Sequence, residues 1–131
     1  MVLRRTILVL EDEPAVATEL ETLLEDQGFA VVAAKTAATA RFFIERSSLH
    51  FAFIDYGSGQ SLAYLTQFLA QSQTPFAICS SDARARDAAS KSGVPFVGKP
   101  VSATDLLSVL RIARRPPHFP PRRDAPWGMA L

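Results

Sequence analysis

The sequence predicts an α/β fold: a five-stranded parallel sheet with helices on both faces. Three observations carry this. Short apolar runs recur five times, and each is followed by a segment that can form a helix. The clearest runs are continuous and rich in branched or aromatic residues, as strands buried on both faces require. Parallel strands joined by helices then cross over right-handedly, which leaves few topologies.

Thr6-Ile7-Leu8-Val9-Leu10 is the first strand, and it stops at Glu11-Asp12-Glu13-Pro14. Proline suits the first helical turn, and carboxylates favour the positive end of a helix. Val16, Leu20, Leu23 and Leu24 recur at helical spacing over residues 14–27, and Gly28 closes that helix as a left-handed cap. Ala30-Val31-Val32-Ala33-Ala34 is the second strand, followed by a helix over residues 39–46 whose apolar content is Phe42 and Phe43. Phe51-Ala52-Phe53-Ile54 is the third strand, ending at Asp55. Beyond Gly57-Ser58-Gly59 a helix over residues 61–72 carries Leu62, Leu65, Phe68 and Leu69 on one face. Phe76-Ala77-Ile78-Cys79 is the fourth strand, ending at Ser80, and a weakly amphipathic helix over residues 83–91 stops at Gly93. Residues 94–98 form a fifth strand that Pro95 interrupts, which places it at an edge. The last helix starts at Ser102 or Thr104 and carries Leu106, Leu107, Val109, Leu110 and Ile112.

A length of 131 residues suits one domain, and 48% hydrophobic with 21% charged residues is ordinary for a globular chain. The net charge of +1 gives no global field to recruit nucleic acid or a membrane. It hides an asymmetry: residues 1–110 carry nine Lys/Arg against twelve Asp/Glu, or −3, whereas residues 111–131 carry five Arg against one Asp, or +4. The single Cys79 excludes a disulfide framework and a cysteine-built zinc site, and its strand position makes it a core residue. No apolar run approaches the ~20 residues of a membrane span, and the N-terminus leads into a strand instead of a signal peptide. The reading is a cytoplasmic domain over residues 1–115 with a Pro/Arg-rich disordered tail over 116–131, where five of the nine prolines fall. Such a tail is too short for an output domain. A chain cut after Arg115 is expected to keep its melting temperature within about 2 °C in a thermal scan, because surface losses are typically below ~0.5 kcal/mol.

In an open parallel sheet, ligands bind beyond the carboxyl ends of the strands. Strand one ends in Glu11-Asp12, strand three in Asp55, strand four in Ser80 and strand five in Lys99-Pro100. Each pair of charged carboxylates ~4 Å apart costs roughly 4 kcal/mol at an effective dielectric near 20. The cluster therefore calls for a cation, and hard carboxylate oxygens suit Mg²⁺. A metal beside a lysine suits phosphate chemistry, with one carboxylate as nucleophile. Asp55 is that candidate, since it stands alone at its strand end before small residues, and Ser80 is placed to hydrogen-bond a phosphoryl oxygen. Plainer roles exist for most of these residues. Asp12 and Glu13 could cap the first helix, Ser80 could cap the fourth, Lys99 could be a solvated loop lysine, and Phe96 could be simple packing. His50 and His118 have no partners in the pattern and take no role.

Over about residues 4–114 the pattern resembles the receiver domain of two-component response regulators. Glu11-Asp12 match the acidic pair, Asp55 the phosphoacceptor, Ser80 the Ser/Thr switch position, Phe96 the rotameric aromatic, and Lys99-Pro100 the lysine–proline pair. The stretch Pro75-Phe76-Ala77-Ile78-Cys79-Ser80 is similar to single-domain, divergent alphaproteobacterial receivers. The resemblance implies a flavodoxin-like fold with strand order 2-1-3-4-5, with Mg²⁺ held by Asp12, Asp55 and the Gly57 carbonyl and by Glu11 through water. It implies that Lys99 pairs with the phosphoryl group and that the Lys99-Pro100 peptide is cis. It also implies a phosphoryl donor that is a sensor histidine kinase or phosphotransferase, a conformational change around helix four and strand five, and a homodimer through the last helices. No nucleic-acid or membrane partner is expected, and no enzymatic activity beyond self-dephosphorylation. One departure is clear: Asp55-Tyr56-Gly57-Ser58-Gly59-Gln60 is shorter than the usual loop and lacks its hydrophobic residue and proline. That departure supports an alternative, a non-phosphorylated scaffold of the same fold. A phosphohydrolase would need a second carboxylate two residues after the nucleophile, where this chain has Gly57.

Overall fold

The computed structural model describes residues 4–57 and 60–112. The predicted tail over 116–131 lies outside the described residues, as do Ser58 and Gly59 of the loop after Asp55.

Five strands and five helices alternate: β1 (Thr6–Leu10), α1 (Pro14–Asp26), β2 (Ala30–Ala34), α2 (Ala37–Arg46), β3 (Leu49–Asp55), α3 (Gln60–Gln71), β4 (Phe76–Ser80), α4 (Ala83–Ser92), β5 (Phe96–Gly98) and α5 (Ala103–Ile112). The strands form one parallel sheet in the order β2-β1-β3-β4-β5, a flavodoxin-like arrangement. Successive strand residues point to opposite faces, so each central strand feeds two cores. Ile7, Val9, Phe51, Phe53, Ala77 and Cys79 pack under α1 and α5 through Leu20, Leu24, Leu106 and Val109. Leu8, Leu10, Ala52, Ile54, Phe76 and Ile78 pack under α2, α3 and α4 through Ala40, Ile44, Leu62, Leu65, Leu69, Ala85 and Ala89. Residues buried on both faces explain why β1, β3 and β4 read as unbroken apolar runs.

Several boundaries differ from the sequence expectation, each for a local reason. Helix α1 ends at Asp26 with Gln27 as its cap, and Gly28 follows at φ +91°, donating its N–H to the Glu25 carbonyl at 2.9 Å. Helix α2 begins at Ala37, two residues early, because the Thr36 hydroxyl accepts the Thr39 N–H and caps it. Strand β5 is only Phe96–Gly98: the Pro95 carbonyl accepts the Ile78 N–H, but proline has no N–H to extend the ladder. Ser102 starts α5, its hydroxyl accepting the Asp105 N–H at 3.1 Å. The two phenylalanines of α2 divide between core and surface. Ala40 and Ile44 are buried, Phe43 is half-buried, and Phe42 is 50% exposed. With ~100° per helical residue, Phe42 lies about 200° from Ala40 and must face outward once Ala40 and Ile44 face the sheet.

Candidate functional site

The strand ends converge as the topology requires. The Glu11 N–H donates to the Ala34 carbonyl at 3.0 Å, which carries the β1–β2 ladder one residue further and fixes Glu11 at the rim. Asp55 is the last residue of β3 and pairs with Cys79. The Lys99 N–H donates to the Ser80 carbonyl at 3.0 Å, so Lys99 leaves β5 in register with β4. The Lys99-Pro100 peptide is cis.

These placements bring the side chains together. Lys99 Nζ donates to Glu11 Oε2 at 2.7 Å and to Asp55 Oδ1 at 2.8 Å, joining residues 88 and 44 positions apart. Glu11 is buried at 2% exposure, Asp55 is half-buried and Asp12 is exposed. Carboxylate oxygens of Glu11, Asp12 and Asp55 all lie within 4.8 Å of one another. Three carboxylates and one ammonium leave a formal charge of −2 at the rim. The donor set is hard oxygen throughout and Asp12 reaches solvent, which fits a hydrated Mg²⁺. Burial pushes the Glu11 carboxyl above its ordinary value, and repulsion from Asp55 adds to that against the opposing bond from Lys99. Burial also works against the Lys99 ammonium, but its bonds to Asp55 and Glu11 prevail and hold its pKa above the usual lysine value. The cluster thus keeps Lys99 charged while its most buried carboxylate is strained by desolvation.

The plainer roles for these residues fare unequally. Glu13 is the residue before α1, but no side chain caps that helix, and its N–H instead donates to Glu11 Oε1 at 3.3 Å. Asp12 is therefore left to the cluster. Asp82 caps α4, its Oδ1 accepting the Arg84 N–H at 2.8 Å, while the Ser80 hydroxyl accepts the Asp82 N–H at 2.9 Å. Ser80 is buried at the end of β4, next to Cys79, which pairs with Asp55 across the sheet. Gly57 has φ +53°, and a Cβ there would lie 3.9 Å from Asp55 Oδ2, so the chain folds back over the carboxylate. Lys99 is not a solvated loop lysine, since its side chain is only 19% exposed.

Phe96 is half-buried on β5, and the Arg86 guanidinium of α4 lies over its ring at 4.6 Å. The same guanidinium runs close to Gly98, where a Cβ would lie 3.4 Å from Arg86 Nη2 in ordinary contact. Ser80, Arg86, Phe96, Gly98 and Lys99 line a cavity of about 160 Å³, and a second of about 330 Å³ opens on the other side of Lys99, between Val16, Leu20 and Val101. Sequence reasoning missed Arg86 entirely. Its contact spans two elements that only the β4–β5 pairing brings side by side, and nothing local marks it.

Cys79 lies beneath the cluster, fully enclosed, and burial pushes its thiol up to about 12. It should resist alkylation by iodoacetamide at pH 8 in the native protein and react fully in denaturant. Rapid native labelling would show that β4 opens locally.

No protein-family model and no curated protein match the sequence. Solved structures do match. The receiver domain of the sensor histidine kinase PA1611 from Pseudomonas aeruginosa, described with a magnesium ion coordinated in its active-site cleft, superposes with a TM-score of 0.72 at 19% identity. That match covers 84% of this chain and 97% of the other. A response regulator receiver domain protein from Clostridium thermocellum gives 0.69 at 25% identity over 83% and 93% of the two chains. The chemotaxis protein CheY4 of Vibrio cholerae gives 0.71 at 16% identity over 84% and 98%. The chain has the receiver-domain fold. In this receiver fold the acidic cluster, Ser80 and Lys99 stand together at the carboxyl rim of the sheet, where the crossover between β1 and β3 opens the crevice. Among the described residues, no helix is long and apolar enough to cross a membrane.

Proposed function

We propose that residues 1–115 form a phosphorelay receiver that takes a phosphoryl group onto Asp55, with Mg²⁺, from a phosphohistidine of a sensor histidine kinase or phosphotransferase in the cytoplasm. The observation that carries this is the Lys99 ammonium held between Glu11 and Asp55 against three convergent carboxylates. A lysine and three acids at three strand ends have no packing purpose, and the mutual repulsion of the acids is relieved by a bound cation. Asp12 and Asp55 would ligate Mg²⁺ directly, with the Gly57 carbonyl, and Glu11 would act through its bond to Lys99 and through water. The ion, when bound, supplies positive charge to the phosphoryl oxygens.

The remaining work belongs to the chain. An Asp55 carboxylate oxygen forms the new P–O bond as the P–N bond to the donor imidazole breaks, and the imidazole leaves with the electron pair. Lys99 needs only to exchange Asp55 Oδ1 for a phosphoryl oxygen, because its Nζ already lies 2.8 Å from the attacking carboxylate. Ser80 offers a hydroxyl at the end of β4 that can follow the phosphoryl group. The Arg86–Phe96 stack is the contact on β5 that such a movement would disturb. The enzyme-like chemistry is limited to loss of that phosphoryl group to water.

Incubation with Mg²⁺ and a small phosphodonor such as acetyl phosphate or phosphoramidate, followed by intact mass, tests the proposal. One added phosphoryl group per chain is expected. An unchanged mass with several donors would favour the constitutive scaffold. Calorimetry provides a second check: Asp12→Ala should bind Mg²⁺ at least tenfold more weakly, with an apo melting temperature no lower than wild type because a repelling charge has gone.

A further inference from the structure

From Tyr56 to Ser81 no residue carries a formal charge, so α3 presents an uncharged surface to solvent. Its exposed positions are Tyr64, Gln67 and Gln71, with Phe68 half-buried beside them. Tyr64 and Phe42 of the neighbouring α2 are the large apolar side chains most exposed among the described residues, at 39% and 50%. Arginines order this surface. Arg41 donates to the Tyr64 hydroxyl at 2.8 Å, pairs with Glu45 at 3.0 Å and lies 4.1 Å over the Phe68 ring. Arg46 lies 4.4 Å over Phe42. Exposed tyrosine, phenylalanine and arginine around a patch depleted of charge is the composition of an interface core, not of an ordinary solvated face.

We infer that the α2–α3 face is a self-association surface, and that its occupant is a second copy of this chain. Two copies meeting elsewhere on residues 1–110 would bring together some of its twelve acidic and nine basic side chains, whereas α3 carries no charge. The α3 face is where they can meet without like charges opposed. An isologous contact must also contain its own complement, and α2 supplies both signs at the rim through Arg41, Glu45 and Arg46. An acidic partner would be steered to a basic patch, not to a neutral helix. Two adjacent helices about 15 and 18 Å long and ~10 Å apart offer at most roughly 400 Å² per copy. That is below the ~800 Å² per partner of a stable complex, so the dimer is weak and concentration-dependent. The surface lies on the opposite face of the sheet from α1 and α5, and it does not depend on the phosphoacceptor reading.

Sedimentation equilibrium of the full chain, from about ten micromolar to about one millimolar, tests this. Wild type should show a reversible monomer–dimer equilibrium, and Tyr64→Lys and Phe42→Glu should each weaken it at least tenfold. Leu107→Lys on α5 should leave it unchanged. The variants' circular dichroism and melting curves confirm that they fold, and intact-mass labelling with acetyl phosphate should match wild type, which separates this inference from the proposed function. A chain that stays monomeric throughout overturns it. So does a dimer that survives both α2–α3 variants or is lost in Leu107→Lys.

Discussion

Asp55→Asn is expected to abolish phosphoryl labelling while the domain stays folded. The amide keeps the shape of the carboxylate, and Lys99 can still donate to its oxygen, so the 2.8 Å contact has a neutral replacement. The rim goes from a formal −2 to −1, and relief of repulsion with Glu11 and Asp12 offsets the weaker bond from Lys99. Net stability therefore changes by less than about 1 kcal/mol, a shift of a few degrees. The loss of chemistry is complete by contrast, since an amide oxygen is no nucleophile at phosphorus. Intact mass after donor treatment reads one outcome and a thermal scan the other. Label that persists in Asp55→Asn would place the acceptor at Asp12 or Glu11 and sink the assignment.

Lys99→Met is expected to be the most destabilising single change at the rim. Methionine fills a similar volume, but Glu11, at 2% exposure, is left charged with no cation beside it. Breaking a fully buried pair costs roughly 3–5 kcal/mol, and this one reaches solvent through Asp55, so about 2–3 kcal/mol is expected at neutral pH. The pH dependence identifies the cause. The Glu11 pKa is already raised by burial, so the fold holds its proton more tightly than the unfolded chain does. That contribution is full below the ordinary carboxylate value of 4.5 and is lost as pH rises through the folded pKa. Removing the ammonium raises the folded pKa further, so the variant's deficit should shrink steadily on acidification. In wild type the raised Lys99 pKa makes the opposite end visible. Its stabilisation is intact below 10.5 and is lost as pH rises through the folded value, a decline that Lys99→Met should lack. Melting temperatures from pH 4 to 11 decide the matter, and a deficit independent of pH would mean lost packing instead of an orphaned charge. Millimolar Mg²⁺ should return part of the loss if the acidic cluster binds it.

The sheet was legible because burial on both faces writes itself into consecutive residues. Thr6–Leu10 and Phe76–Ser80 could be nothing else once helices flanked them, and right-handed crossovers restricted their order. Boundaries were less legible wherever a single hydrogen bond sets them, as Thr36 does for α2 and Pro95 does for β5. The apolar content of α2 did not say which phenylalanine faces the sheet, because two adjacent side chains lie ~100° apart and only the packing of Ala40 and Ile44 turns Phe42 outward.

What the sequence determined by itself is the fold class and the roster of the rim: Asp55 and Ser80 end strands, Glu11, Asp12 and Lys99 directly follow them, and a parallel sheet puts all strand ends on one side. What only the tertiary structure decided is who touches whom. That Lys99 bridges Glu11 and Asp55, that Asp82 and not Ser80 caps α4, and that Arg86 covers Phe96 beside Gly98 depend on strand register and helix placement to within an ångström or so. Periodicity encodes which side of an element a residue faces. Hydrogen bonds and ion pairs between residues dozens of positions apart are set by how whole layers pack, and no local pattern along the chain carries that distance.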